Sequence, residues 1–457
     1  MFSLKQRYVM ALAVSAAVFG LAVTSYADDP KVSLTDGGRD LMQDPDVSPR
    51  GGQTSLHILN DTSVPTRSDG QILGAISNRV LVSDGPIYVD TDVTIGYFHI
   101  NGNYDFSGTL TYNGGDGENA GIYLWGNSNC SFDKIILRGG NHTNMKRILV
   151  EGTGSMYVGV LENPCQGGVM KQGTGLLRID TIPATGTGNP ASPAFDVQAG
   201  TLLLTGDCYM SSANYRPFNF TEIGRRISYA NLVVGKDAVL AGSGTIFSTG
   251  NANRFVYIDG GVAPGNYGFI DGLEAGDPGA VGAFTIKDTP SIYFSTNSHI
   301  DLDFASSTLY DQLVFDNGAG AGPNVNIVGL TINLNAIGGF VDGDYDIIVG
   351  AGAFRSGELT FTQSGDFWNP SLSDAVPFDV NDIKFNVFVD GEQVGSNIAD
   401  NDFFGLDFGK SFVFGIDADS GNLTLTIKEG GPIVPEPASL GLLGLGVGVL
   451  MLRRKRS

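Results

Sequence analysis

The sequence predicts an all-β protein: a parallel β-solenoid (β-helix) followed by an antiparallel β region, with an N-terminal signal helix and a short C-terminal hydrophobic helix. Three observations carry that expectation. Glycine supplies 65 of 457 residues, roughly twice the usual share, which disfavours helices and marks many turns. Charged residues make up only 16%, and the 42% that are hydrophobic do not gather at the three-and-four spacing of a helical face. Short β-rich runs return instead around glycines at intervals of a few tens of residues. A formal charge of −21 argues against a nucleic-acid surface, which needs clustered Lys and Arg. Aromatic residues at 10% argue against disorder, because such a chain can bury a core.

Residues 1–27 carry Lys5 and Arg7, an apolar run from Tyr8 to Val23, and Ser25-Tyr26-Ala27 ahead of Asp28-Asp29-Pro30. A charged start, a short apolar centre and small residues two apart are the pattern of a cleavable secretory signal, with the cut between Ala27 and Asp28. Residues 28–80 are polar and turn-rich, and are expected to form an N-terminal cap or strand region. From 81 to 340 a β-run, turn, β-run unit recurs, with turn positions at Gly154, Gly175, Gly200, Asp237 and Gly261. One such unit cannot bury its apolar face alone, so neighbours must stack, with glycine where the backbone bends sharply. The longer gap between Gly200 and Asp237 predicts an insertion around Cys208 to Tyr229. An antiparallel sandwich would use the same turn residues and stays open at this stage. Residues 341–430 alternate as antiparallel strands, and Ser411–Ile416 with Leu423–Ile427 around Asp417-Ala-Asp-Ser-Gly421 reads as a hairpin.

The last segment, 431–457, is built differently. Val434-Pro435-Glu436-Pro437 precedes an apolar run from Ala438 to Leu452 and a basic stop, Arg453-Arg454-Lys455-Arg456. The prolines keep the motif extended and readable by another protein. The run would rise only about 22 Å as a helix, short of a roughly 30 Å hydrocarbon core, and the basic cluster would stay on the cytoplasmic side. This order of Pro-Glu-Pro, short hydrophobic helix and basic end resembles the PEP-CTERM sorting signal of bacterial surface proteins, also catalogued as an ice-binding protein C-terminal domain. The resemblance implies recognition by a membrane-embedded exosortase-type enzyme after export by the Sec machinery. It also implies delivery to the cell surface, outer membrane or extracellular matrix, with transient membrane anchoring by the helix. Removing both processed ends leaves 21 bases against 47 acids, so the exported body is strongly acidic. Val197-Gln-Ala-Gly-Thr-Leu-Leu-Leu-Thr-Gly206, with Ala238–Ile246, Gly260–Asn266 and Tyr310–Val314, is similar to the autotransporter-associated β-strand repeat. That similarity implies a passenger-like body over about residues 150–350, although no C-terminal membrane barrel pattern accompanies it.

Catalytic patterns are scarce. The Asp-Asp pair is Asp28-Asp29, at the signal cleavage site, and Gly140-Asn141-His142 with Arg147 lacks flanking carboxylates for glycoside chemistry. His57, His99, His142 and His299 have no metal-ligand spacing, and Cys130, Cys165 and Cys208 permit at most one intrachain disulfide. Asp342, Asp344 and Asp346 alternate and could offer oxygens to calcium; no other cofactor is expected. Tyr104 with Phe106, and Tyr123 with Trp125, share strand faces at period two and would stack on sugar rings if exposed, or fill the core if buried. The expected function is therefore a structural or adhesive surface or matrix protein, not an enzyme, with exopolysaccharide as a candidate partner. A carbohydrate-active β-helix enzyme (lyase or glycosidase) and a carbohydrate-binding module are the alternatives.

Overall fold

A computed structural model describes most residues from 97 to 429, together with short strands between 35 and 93. The signal segment and residues 430–457 lie outside the described residues, as do His142 and Cys165. The described chain is all-β, with two large mixed sheets of 27 and 7 strands and a 3-10 turn at Val380–Asp382. No helix among the described residues is long and apolar enough to cross a membrane.

Strand formation follows from alternation. In Thr331–Ala336, Ile332, Leu334 and Ala336 point inward while Thr331, Asn333 and Asn335 point outward, as period two demands. Strands of this kind pair in parallel with a partner one repeat away. Asn129 follows Asn103 by 26 residues and donates its N–H to the Asn103 Oδ1 at 2.7 Å. Three parallel ladders result. One begins with Arg79–Val82 and Ser55–Leu59, continues through Tyr97–Asn101, Gly121–Leu124 and Lys146–Val150 and runs on to Asn324–Ile327 and Ala353–Ser364. The second begins with Ile87–Val89 and Asp92–Val93 beside Tyr104–Asn113, continues with Asn129–Arg138 and ends with His299–Phe304, Thr331–Ala336 and Lys384–Val389. The third starts later, at Asp207–Ser212, and passes through Thr245–Gly250, Ala283–Lys287 and Gln312–Asp316 to Gly343–Val349.

In-register stacking builds the core. The inward column of the first ladder passes through Phe98, Ile122, Ile148, Lys171, Val197 and Val234, all fully buried. The residues that follow the turns read from the sequence sit one beside the next: Ser155 pairs with Leu176, Leu176 with Thr201, and Thr201 with Val239, which puts Asp237 beside Ala199, one residue before Gly200. Close approach at these bends explains the glycine. Gly200 has φ +68°, and a Cβ there would lie 2.6 Å from the Gly175 carbonyl oxygen, so any side chain would clash as well as strain the backbone.

Two features differ from the sequence expectation. Cys208 is not in an insertion: Asp207–Ser212 opens the third ladder, and among the described residues the insertion carries the short antiparallel pair Phe218–Phe220 and Arg225–Ile227. Parallel pairing also continues past residue 341, because Gly343–Val349, Ala353–Ser364 and Lys384–Val389 each join a parallel ladder before folding back. The hairpins of this region are Ala353–Ser364 with Phe367–Pro377, Lys384–Val389 with Glu392–Asn397, and Lys410–Ile416 with Leu423–Glu429. They lie at the end of the ladders and pair onto them. Local alternation is the same for parallel and antiparallel strands, so sequence could not separate them.

Candidate functional site

The sorting residues Val434, Pro435, Glu436 and Pro437, the basic stop Arg453 to Arg456 and the Ala27–Asp28 cleavage position lie outside the described residues. The structure does show where the tail departs. Leu423–Glu429 is held between Gly343–Val349 on one side and Lys410–Ile416 on the other. Val434 lies five residues beyond Glu429, so the chain can carry the motif at most about 18 Å from the folded body.

The aromatic candidates are core residues. Tyr104 is 4% exposed, Phe106 2%, Tyr123 4% and Trp125 5%, so none offers a ring face to a sugar. Phe106 stacks on Phe132 at 4.3 Å between centroids, 2° from parallel, because the two are partners in the same parallel register. Tyr123 lies on Gly121–Leu124, a strand buried on both faces, and stacks on Trp125 at 5.8 Å. Period two correctly puts each pair on one face but says nothing about whether that face is covered.

Asp342, Asp344 and Asp346 engage separate partners. Asp342 Oδ1 accepts from Lys410 Nζ at 2.5 Å and its Oδ2 from the Glu429 N–H at 3.1 Å. The Lys410 ammonium holds that carboxyl below the usual carboxylate range. Asp344 Oδ1 accepts from Thr426 Oγ1 at 2.5 Å, and the Asp346 backbone carbonyl accepts from Gln312 Nε2 at 2.8 Å. Among the described residues no group of three or more His, Cys, Asp or Glu side chains converges to hold a metal ion. The Asp342 and Asp344 carboxylates hold the terminal hairpin on the last parallel strand. Cys130 and Cys208 are free and buried, and burial pushes each thiol up to about 12.

A polar face that sequence reading missed lies on the second ladder. His299, Asp301 and Asp303 alternate with the buried Ile300, Leu302 and Phe304, and the next strands place Asn333 beside Asp301, Asn335 beside Asp303, and Asn386 beside Asn333. Side-chain amides then run in one direction: Gln393 donates to Asn386 at 3.1 Å, Asn386 to Asn333 at 2.9 Å, and Asn333 to Asp301 at 2.6 Å. Asn335 donates to Asp303 at 2.7 Å. Burial raises the Asp303 carboxyl to about 6, against the Asn335 hydrogen bond that lowers it. Behind it, Asp311 accepts the N–H groups of Gly282 and Asp303 at 2.8 and 2.9 Å, and burial raises it well above its ordinary value. The signal was present as His-Ile-Asp-Leu-Asp-Phe and Thr-Ile-Asn-Leu-Asn-Ala. Each strand alone looks like an ordinary solvated face, and only the register joins them. Asp301 and Asp303 stand about 7 Å apart by strand rise, and each carboxylate accepts from an asparagine of the next strand. The amide bonds to both also let the ladder act as a lattice of acceptors and donors for hydroxyl groups.

Residues 434–456 match the family model of the PEP-CTERM protein-sorting motif. No curated protein matches the chain. The motif marks an exported, surface-associated protein sorted through an exosortase-type enzyme.

Proposed function

We propose that this exported chain is a structural or adhesive protein of the cell surface or extracellular matrix, with a parallel β-solenoid body and a tail that the exosortase-type enzyme removes. The observation that carries the reading is the sorting motif at 434–456, placed immediately after the last strand of the folded body. The solenoid reading is supported by three parallel ladders whose partners recur one repeat apart and by inward columns that remain apolar from strand to strand. Such a body suits a scaffold, because every added repeat extends it without a new core. The test replaces Pro435, Glu436 and Pro437 by alanine and follows location and mass. Retention of the variant in the cell membrane with an unshortened mass is expected; the same location and mass as the unaltered protein would refute sorting.

A second reading is favoured by the outward ladder of Asp301, Asp303, Asn333 and Asn386. Its planar amides and carboxylates would hydrogen-bond the hydroxyl groups of an exopolysaccharide. Co-sedimentation with the polysaccharide of the producing cell checks it. Binding that is unchanged in the Asp301→Ala, Asn333→Ala variant would remove this reading.

A further inference from the structure

On the polar face of the second ladder, neighbouring rows end differently. The row that starts at Asp301 is closed: Asn333 donates through Nδ2 to Asp301 at 2.6 Å, and its Oδ1 accepts from Asn386 Nδ2 at 2.9 Å. In the next row Asn335 Nδ2 donates to Asp303 Oδ1 at 2.7 Å, but the residue paired with Asn335 on the following strand is Phe388, whose side chain has no donor. Asn335 Oδ1 is buried and accepts no hydrogen bond among the described residues. A buried acceptor left without a donor is destabilising. Turning the amide over does not help, because it sets the amide oxygen against the Asp303 carboxylate.

The missing donor is one proton away. A carboxylate only accepts, whereas a carboxylic acid also carries an O–H donor. The Asp303 carboxyl and the Asn335 amide are planar and already joined at one atom pair, so a small rotation about that bond lets a protonated Asp303 donate to Asn335 Oδ1 and close a ring of two hydrogen bonds. The surroundings favour the proton. Burial raises the carboxyl, and the charge of Asp301 on the same strand adds to it; His299 is turned to Asp301 at 3.7 Å. Asp311 stands behind, accepting the Asp303 N–H at 2.9 Å, and Tyr310 beside it packs on Phe304 and Tyr345. The preceding strand Gly261–Pro264 has no titratable side chain, and Lys384 lies at the other end of the face, opposite Thr331.

We infer that Asp303 and Asn335 form a proton-operated clasp between the strands His299–Phe304 and Thr331–Ala336: in mildly acid surroundings the carboxyl takes a proton from solvent and donates it in a hydrogen bond to Asn335 Oδ1, and on deprotonation that bond is lost while the Asn335 Nδ2 bond remains. The clasp stands apart from the sorting and scaffold readings and does not depend on either. Asp303 and Asp311 also bond each other's backbone, since the Asp311 N–H donates to the Asp303 carbonyl at 2.9 Å, so a change at Asp303 is felt through the bend as well as across the ladder. The raised carboxyl sets the sign: the contribution is fully present below about pH 4 and is lost as pH rises through about 6.

Hydrogen exchange of the full-length protein in mild detergent, read by mass spectrometry on peptides covering 299–304 and 331–336 and corrected for intrinsic rate, tests the clasp. With the carboxyl moving from 3.8 to about 6 on folding, protection is expected to drop about tenfold between about pH 5 and 8 through this group. Asp303→Asn gives Asn335 Oδ1 a permanent donor and is expected to hold protection near its acid level, the pH dependence shrinking by that factor of about ten although Asp311 is still present. Asp303→Leu removes the same charge without either bond; it is expected to lose the same pH dependence but to be roughly tenfold less protected than Asp303→Asn. Equal protection in the two variants would show that burial alone acts and would overturn the clasp. So would a tenfold drop that persists in Asp303→Asn, no drop in the unaltered protein, or failure of Asp303→Asn to fold, since that side chain reproduces the protonated pair.

Discussion

Lys171 is the charged member of an otherwise apolar inward column, between Ile148 and Val197, and it is 0% exposed. Its ammonium donates to the carbonyls of Gly173 at 2.6 Å, Ala199 at 2.8 Å and Gln172 at 3.2 Å. It therefore closes a bend where the chain turns from the first ladder toward the second. Burial lowers the ammonium from 10.5 to about 7, so between these values the unfolded chain holds a proton that the folded one has lost. Folding stability then rises with pH through that window, by up to about 1.4 kcal/mol per unit, and is flat below it. From about pH 7 to 8.5 the gain is about 2 kcal/mol, reduced to the extent that the three carbonyls hold the charged form. Lys171→Met keeps the length and apolar bulk but abolishes the titration and leaves the carbonyls without that donor. The expected result is a variant whose deficit grows by about 2 kcal/mol over that interval, read from urea midpoints at both ends with both proteins. A deficit equal at the two values would refute the assignment of Lys171 as a buried, depressed base, whatever the size of the deficit.

Asp196 behaves in the opposite sense. It is 5% exposed, and burial raises its carboxyl to about 7, so its contribution is fully present below about pH 4 and is lost as pH rises through 7. Asp196→Asn should remove about 4 kcal/mol of pH dependence between about pH 4 and 8; urea midpoints that keep the original slope would contradict this. Cys130 and Cys208, both buried with thiols raised to about 12, should resist an aromatic disulfide reagent at about pH 8 until the protein is denatured. Prompt labelling of either, located by mass spectrometry, would show that the site opens in the native state.

The glycine content, the period-two alternation and the near-constant spacing of Gly154, Gly175 and Gly200 are enough to read an all-β chain of short repeating strands. The sorting tail is equally legible, because Val434 to Arg456 is a contiguous pattern that another protein must read in extended form. Tyr104 and Trp125 show where such reading stops. Their faces follow from alternation, but whether a face is covered depends on strands and loops far away in sequence, and both rings are buried. Lys171 is a further case: composition marks it as a surface residue, whereas register places it in an apolar column with three carbonyls within reach. Asp301, Asn333 and Asn386 form one hydrogen-bonded line although 32 residues separate the first two and 53 the last two.

Sequence alone thus determined the strand class, the bends and the sorting motif, all of which depend on residues adjacent in the chain. Tertiary structure decided which strands pair in parallel, which aromatic faces are buried, and that Lys410–Ile416 comes last in its sheet among the described strands. Those outcomes depend on register between distant segments, and a period of two is the same whichever partner a strand takes.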